Sequence, residues 1–311
     1  MRYVVTGAAG FIGSHLATTL RAAGHVVVGL DCFTDYYDPA LKESNARSLA
    51  ALGIEVHRVD LAEDGFDFSG ADGVFHLAGQ PGVRSFGDVF ATYLRRNLLA
   101  SQRVFEAAVR DGVKVVFSSS SSIYGAAERY PTSEDTPPSP LSPYGITKLG
   151  CEQLAAAYTR EFGLDCVVLR YFNAFGPRQR PDMAFTRIAF ALATGSTFEL
   201  YGDGAQSRGW TYVSDVVDGT IVAMERGSGT YNVGGALEAS MNETIGLFEE
   251  IAGRTLGLRA REAVPGDQRR TSADTTRIRT GLGWEPKVSL REGLEAQWEW
   301  ARDAAFAGRV G

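Results

Sequence analysis

The chain has 311 residues, 44% hydrophobic and 22% charged, which is the balance of a soluble globular protein with one large or two closely joined domains. Its net charge of -6 argues against a nucleic-acid partner, and no apolar run approaches the roughly 18 residues of a membrane span. Cys32, Cys151 and Cys166 are scattered without paired spacing, so no disulfide framework and no metal site are expected, and a reducing compartment, the cytoplasm, is the expected location.

Met1-Arg2-Tyr3-Val4-Val5 runs straight into a motif and leaves no room for a signal peptide. Tyr3 to Thr6 reads as a short apolar strand, Gly7-Ala8-Ala9-Gly10-Phe11-Ile12-Gly13 as a turn, and the next stretch as a helix with Leu16, Leu20 and Ala23 inward. Gly7, Gly10 and Gly13 permit the tight turn and a close backbone approach, while the helix start at Phe11 and Ile12 offers free N–H groups to a pyrophosphate. A second strand, Val26 to Leu30, closes at Asp31, at the separation where an acid accepts from an adenosine ribose hydroxyl and repels a 2'-phosphate. The expected guest is therefore NAD rather than NADP.

Glu55 to Val59 is a third strand, ending at Asp60-Leu61, where an acid and an apolar residue suit an adenine ring or, equally, a helix cap. Val74 to Leu77 reaches Ala78-Gly79-Gln80, a small-residue strand end over which a cofactor can lie, and the following helix carries Asn97. Val113 to Phe117 delivers Ser118-Ser119-Ser120-Ser121-Ser122 at its carboxyl end, on the same sheet edge as the glycine turn. Tyr144 and Lys148, four apart behind Pro143, project from one helix face. An ammonium held beside a phenol favours the phenolate, which can act as a general base, and a nearby serine can share the substrate hydroxyl's hydrogen bond. A long amphipathic helix with Leu154, Tyr158 and Phe162 leads to the strand Cys166 to Leu169. The segment from Arg170 to Met183 then reads as a loop, whose basic residues composition alone would assign to solvated surface.

Together the glycine turn, Asp31, Asp60-Leu61, the serine run and Tyr144/Lys148 resemble the extended short-chain dehydrogenase/reductases, in the branch of NAD-dependent nucleotide-sugar epimerases and dehydratases. That resemblance implies an α/β fold: a Rossmann-type doubly wound parallel sheet in residues 1–172 and a smaller α/β substrate domain in 173–311, with the chain free to cross back. It implies Tyr144 as base, Lys148 as its electrostatic partner and nicotinamide-ribose ligand, and Ser120 as the hydroxyl partner. Leu77, Ala78, Gly79, Gln80, Asn97 and Tyr171 join the glycine turn around the cofactor. The Arg-Tyr-Phe-Asn strand end with Asn173, the loop residues Arg180 and Met183, and the uridine pocket with Tyr201 and Arg208 are placed on the nucleotide sugar. Asp267 and Arg270 belong to a segment resembling one that closes over the uridine ribose. Relatives often carry an arginine where Val264 stands, so Arg269 or Arg270 is the expected substitute. Asp215 and Asp218 are assigned to a helix start and a solvent face.

Dehydratases and decarboxylases of this branch place an acid where Ser122 stands, so elimination is disfavoured and 4-epimerisation by Tyr144 alone is favoured. Asp35-Tyr36-Tyr37-Asp38 with Leu41-Lys42, Ala78 to Arg84, and Arg180 to Ala184 look like UDP-glucuronate 4-epimerases. On this reading Arg84 and the hydroxyls of Ser120, Ser121 and Ser122 meet the substrate, the serines holding its carboxylate. The expected substrates are UDP-glucuronate and UDP-galacturonate, and relatives suggest a homodimer. Asn173 is discordant, since several uronate enzymes carry threonine there, which keeps UDP-glucose or UDP-N-acetylglucosamine 4-epimerase as the alternative. UDP-glucuronate decarboxylase, a 4,6-dehydratase and a catalytically silent NAD-binding sensor rank lower.

Overall fold

The apolar runs become strands of one parallel sheet because each is buried on both faces and each is followed by a helix that crosses back over it. The computed structural model describes residues 1–82, 87–235, 237–263 and 268–306, so Arg84, Val264 and Asp267 lie outside the described residues. The first half comprises β1 (Arg2–Thr6), α1 (Phe11–Ala22), β2 (Val26–Asp31), α2 (Pro39–Ala51), β3 (Glu55–Arg58) and β4 (Gly73–His76). It continues with α3 (Phe90–Tyr93), a π-helical turn at Leu94–Leu99, α4 (Ala100–Asp111), β5 (Val115–Ser120), α5 (Pro143–Phe162) and β6 (Cys166–Tyr171). Then come β7 (Ala174–Phe175), α6 (Ala184–Thr194), β8 (Thr197–Tyr201), β9 (Ser207–Gly209), β10 (Thr211–Tyr212), α7 (Val213–Arg226) and β11 (Gly229–Val233). β12 (Glu238–Ser240), α8 (Met241–Ala252), β13 (Gly257–Arg261), β14 (Arg270–Thr271), α9 (Thr276–Leu282) and α10 (Leu290–Phe306) complete the chain.

Seven parallel strands lie in the order β11-β6-β5-β4-β1-β2-β3. The chain winds outward from β1 through β2 to β3 and then returns through β4 to the other edge. The topological switch between β1 and β4 opens a crevice at the strands' carboxyl ends, where doubly wound sheets bind ligands. Alternation along each strand feeds two cores. Val5, Phe75 and Val116 pack with Leu16 and Leu20 of α1, whereas Val4, Val74 and Val115 pack with Val104 and Phe105 of α4.

After residue 173 the chain crosses back to the large sheet once. β11 pairs with β6 from Gly229↔Val167 to Val233↔Tyr171, and Val216, Val217 and Ala223 of α7 join the core that holds α1. Residues 213–233 thus complete the sheet, because β6 would otherwise be an unpaired apolar edge. The smaller unit has its own core of Phe175, Phe185, Ile188, Leu192, Phe248, Leu294 and Trp298.

Candidate active site

The glycine turn is shaped by steric necessity at two positions. Gly7 has φ +70, and a Cβ there would stand 2.9 Å from the Ala78 nitrogen; one on Gly13 would stand 2.1 Å from the Gly7 carbonyl oxygen. The backbone of α1 therefore approaches β1 as closely as glycine allows. No side chain caps the start of α1 at Gly10, so its first amides are open to an anion. Asp31 ends β2 with its carboxylate beside this turn, accepting from the amides of Ala9 (3.1 Å) and Phe33 (2.8 Å). A buried Lys42 from α2 pairs with the same carboxylate at 3.1 Å, a partner that sequence spacing alone does not announce.

A single cavity of about 720 Å³ runs from this turn across the sheet edge into the smaller unit. Gly7, Gly10, Phe11, Ile12, Gly13, Asp31, Asp60, Leu61 and the run Leu77-Ala78-Gly79-Gln80 line one end. Tyr144, Lys148 and Ser118 to Ser122 line its middle, and Asn173, Arg180, Met183, Tyr201 and Arg208 the far end. Asp60 also holds a local turn, its Oδ1 accepting from Ala62 N at 3.0 Å, and its Oδ2 pairs with Arg95 at 2.9 Å.

Tyr144 and Lys148 occupy the first two turns of α5, which begins with Ser142 accepting from Gly145 N and Pro143 in the first turn. Lys148 donates from Nζ to the Ser118 carbonyl at 2.7 Å and lies 5.9 Å from the centre of the Tyr144 ring. The ammonium is thus fixed to the end of β5 and held beside the phenol. Ser120 ends β5 in extended conformation, its hydroxyl accepting from Ser122 N and donating to Ser122 Oγ, both at 3.1 Å. Ser120, Ser121 and Ser122 line the cavity, and Ser119 lines it too, but its hydroxyl donates to a buried carboxylate, Glu152. Tyr124, near the serine run, is not a second base: burial pushes it up to about 12, and it remains a phenol donating to Asn232.

Four residues expected to meet a ligand make side-chain hydrogen bonds within the protein. Asn97 is 1% exposed and lies outside the cavity lining. Its Oδ1 accepts from Gln80 N at 2.6 Å and its Nδ2 reaches Thr147 Oγ1 at 3.1 Å, so it splints the β4 end to α5. It lies on the π-helical turn, a device common near functional sites. Tyr171 forms part of the wall, but its hydroxyl meets Thr220 of α7 at 2.7 Å inside the core. Arg270 is a surface residue held by two 2.7 Å bonds to Glu238, and neither it nor Arg269 lines the cavity. Asn173 lines the cavity, yet its amide donates to Gly209 O and Thr271 Oγ1. Its φ of +39 supplies a backbone reason for asparagine, which tolerates left-handed geometry better than a β-branched threonine.

Sequence reasoning named Arg180 and Met183 but missed Arg187, in the first turns of α6. Met183 offers no capping bond of its own, and Gln179 Oε1 accepts from the Thr186 amide at 3.3 Å; the first residues of α6 line the cavity, and Arg187 one turn on lies 5.3 Å from the Phe198 ring centre. Arg180 beside this helix start is held by two 3.0 Å bonds to Asp182, and Arg187 lines the same stretch of the cavity. Among the described residues no cluster of His, Cys, Asp or Glu could hold a metal, and no helix is long and apolar enough to cross a membrane.

Residues 3–234 match the NAD dependent epimerase/dehydratase family. A Bacillus subtilis protein described as "Uncharacterized UDP-glucose epimerase YtcB" is 40% identical over 94% of this chain and 96% of its own length. UDP-glucuronic acid 4-epimerase from Bacillus cereus, in complex with UDP-glucuronic acid and NAD, superposes with a TM-score of 0.92 at 38% identity, over 97% of this chain and 99% of that one. MoeE5 in complex with UDP-glucose and NAD gives a TM-score of 0.88 at 40% identity, covering 98% and 100%. The chain belongs to the NAD-dependent epimerase/dehydratase family. Its cofactor is NAD and its class is that of the nucleotide-sugar 4-epimerases.

Proposed function

We propose that the protein is a UDP-glucuronate 4-epimerase, interconverting UDP-glucuronate and UDP-galacturonate through a 4-keto sugar. The observation that carries this reading is the Ser120–Ser122 turn, three serines with no acid among them, which lines the cavity together with Tyr144. The glycine cradle, the uncapped α1 start and Asp31 fit NAD. When bound, NAD supplies reversible hydride acceptance at C4 of the sugar.

Tyr144 as phenolate takes the C4 hydroxyl proton, with Lys148 stabilising the anion and Ser120 sharing the hydrogen bond. The 4-keto sugar turns about its diphosphate linkage, and Tyr144 returns the proton after reduction at the opposite face. One acid-base residue suffices because oxidation and reduction occur at the same carbon. The α6 start with Arg187 and Arg208 holds the diphosphate, and Arg180 lies between it and the sugar. A 4-keto uronate is a β-keto acid prone to lose carbon dioxide. Serine hydroxyls that hold the carboxylate with its breaking bond near the ketone plane deny that path the orbital overlap it needs.

UDP-glucose 4-epimerase is the second reading, supported by the name of the Bacillus subtilis relative. Incubation with UDP-glucuronate, UDP-glucose and UDP-N-acetylglucosamine, followed by sugar analysis, decides between them. Preferred turnover of UDP-glucose would overturn the uronate reading. Homodimerisation is part of the proposal and is supported by Leu94, Leu99 and Ile146, large apolar side chains left exposed on the π-helical turn and α5. A monomer by light scattering would overturn that part.

A further inference from the structure

The catalytic helix carries a buried acid that the reaction does not use. Glu152 follows Lys148 by four residues on α5, as Lys148 follows Tyr144, and is 9% exposed. Both its oxygens are saturated. Ser119 Oγ donates to Oε1, and Arg170 of β6 donates from Nε at 3.1 and 3.2 Å and from the terminal nitrogen at 2.7 Å. Arg170 in turn donates to Tyr124 Oη at 2.7 Å, and Tyr124 to Asn232 Oδ1 at 2.8 Å. Asn232 reaches the carbonyls of Thr132 and Asp274 at 2.9 and 3.2 Å. Ser119 and Arg170 are register partners on β5 and β6, so one carboxylate pins the helix to two adjacent strands at once.

Ser118, whose carbonyl receives the Lys148 ammonium, directly precedes Ser119. The strand end and the helix turn that meet at Lys148 are therefore held one step further in by Glu152. With its lone pairs filled by donors, Glu152 is no acid or base for the sugar. A buried ion pair contributes little net stability against an apolar replacement, but it fixes geometry tightly, because removing one partner leaves a buried charge alone.

We propose that Glu152 is a positioning residue that sets the distance between Lys148 and Tyr144 through Ser119 and Arg170. This rests on Tyr144 as the base. Among the described residues, the charged and titratable groups near Tyr144 include Lys148 on its own helix, Tyr93 from α3 at 6.5 Å between ring centres, and Arg180 with its ion-pair partner Asp182 from the loop before α6. Those near Glu152 include Arg170, the adjoining buried thiol Cys151 and, through Arg170, Tyr124.

The test is Glu152→Gln, assayed with whichever UDP-sugar the wild type turns over. The amide keeps the size but presents N–H groups to Arg170. A displacement of about 1 Å can cost roughly a hundredfold, so kcat is expected to fall about tenfold to a hundredfold with KM within about threefold. The rising limb of kcat against pH should move to higher pH, because a displaced ammonium stabilises the phenolate less. A through-space effect of the lost negative charge would move that limb to lower pH, and a merely structural role would leave it in place. Either of those, or an unchanged kcat, overturns the proposal. Ultraviolet difference titration of tyrosinate against Tyr144→Phe should show the same upward shift without turnover. Should Glu152→Gln fail to fold, Ser119→Ala keeps the ion pair and should show a smaller fall with the same limb shift; unchanged kinetics there overturn the proposal. An inactive wild type, by contrast, overturns the function itself.

Discussion

The Lys42 ammonium lies 3.1 Å from the Asp31 carboxylate, with both side chains nearly inaccessible to solvent. The acid expected to exclude a 2'-phosphate is thus already half-neutralised by a cation from α2. Asp31→Ser should therefore do more than weaken NAD. With its partner gone, Lys42 faces the adenosine ribose position as an uncompensated charge, and the ratio of NADP to NAD affinity should rise at least tenfold, or by about 1.4 kcal/mol. Titration calorimetry on nucleotide-free protein checks this. An unchanged ratio would show that Lys42 does not face the ribose.

Tyr144→Phe removes the proton acceptor and leaves the ring in place. General acid-base catalysis contributes about a hundredfold to ten-thousandfold, so turnover should fall by at least that lower bound while NAD and UDP-sugar still bind. Retention of more than about a tenth of the rate would remove Tyr144 from the mechanism.

Replacing both Ser121 and Ser122 by alanine should weaken UDP-glucuronate far more than UDP-glucose, since only the uronate presents an ion to their hydroxyls. At roughly 1.5 to 3 kcal/mol per hydrogen bond to a charged group, the loss is tens-fold to thousands-fold. The freed carboxylate should also leave as carbon dioxide in some cycles, giving a UDP-4-keto-pentose detectable by mass spectrometry. Equal loss of both sugars without that product would contradict the carboxylate role.

Stability should fall with acid well before the carboxylates titrate. Burial lowers His76 to about 3, where it is held between Thr6 Oγ1 (2.8 Å) and Ser101 Oγ (3.0 Å), and lowers His15 to about 4 beside Pro177 O. Both folded values lie below the ordinary histidine value, so the unfolded chain binds more protons through that range. Their contribution is complete above about pH 6.5 and is lost as pH falls toward 3 to 4, at up to about 1.4 kcal/mol per pH unit for each histidine. Urea unfolding from pH 7 to 4 measures the slope, and a flat profile would mean that neither histidine is buried neutral.

The parts of the site that were legible in the sequence are those whose partners are near in the chain. The glycine turn, Asp31 at the end of β2, and the Tyr144/Lys148 pair each depend on one strand, one turn or one helix period, and a local pattern is enough to place them. Their convergence on one sheet edge also follows from the alternation of strands and helices, because a doubly wound sheet brings all carboxyl ends to one side.

What only the tertiary structure decided is which polar side chain spends its hydrogen bonds on protein. Asn97 and Tyr171 resemble cofactor ligands by position, yet they serve Gln80 and Thr147 in one case and Thr220 in the other. Arg270 looked like a diphosphate contact and is paired with Glu238, whereas Arg187 and the start of α6 line the cavity. Lys42 finds Asp31, and Glu152 finds Arg170 and Ser119, through pairings of sheet and helix rather than any local period. Buried donors and acceptors must be satisfied by whatever the fold places beside them, and a one-dimensional spacing does not contain that neighbour.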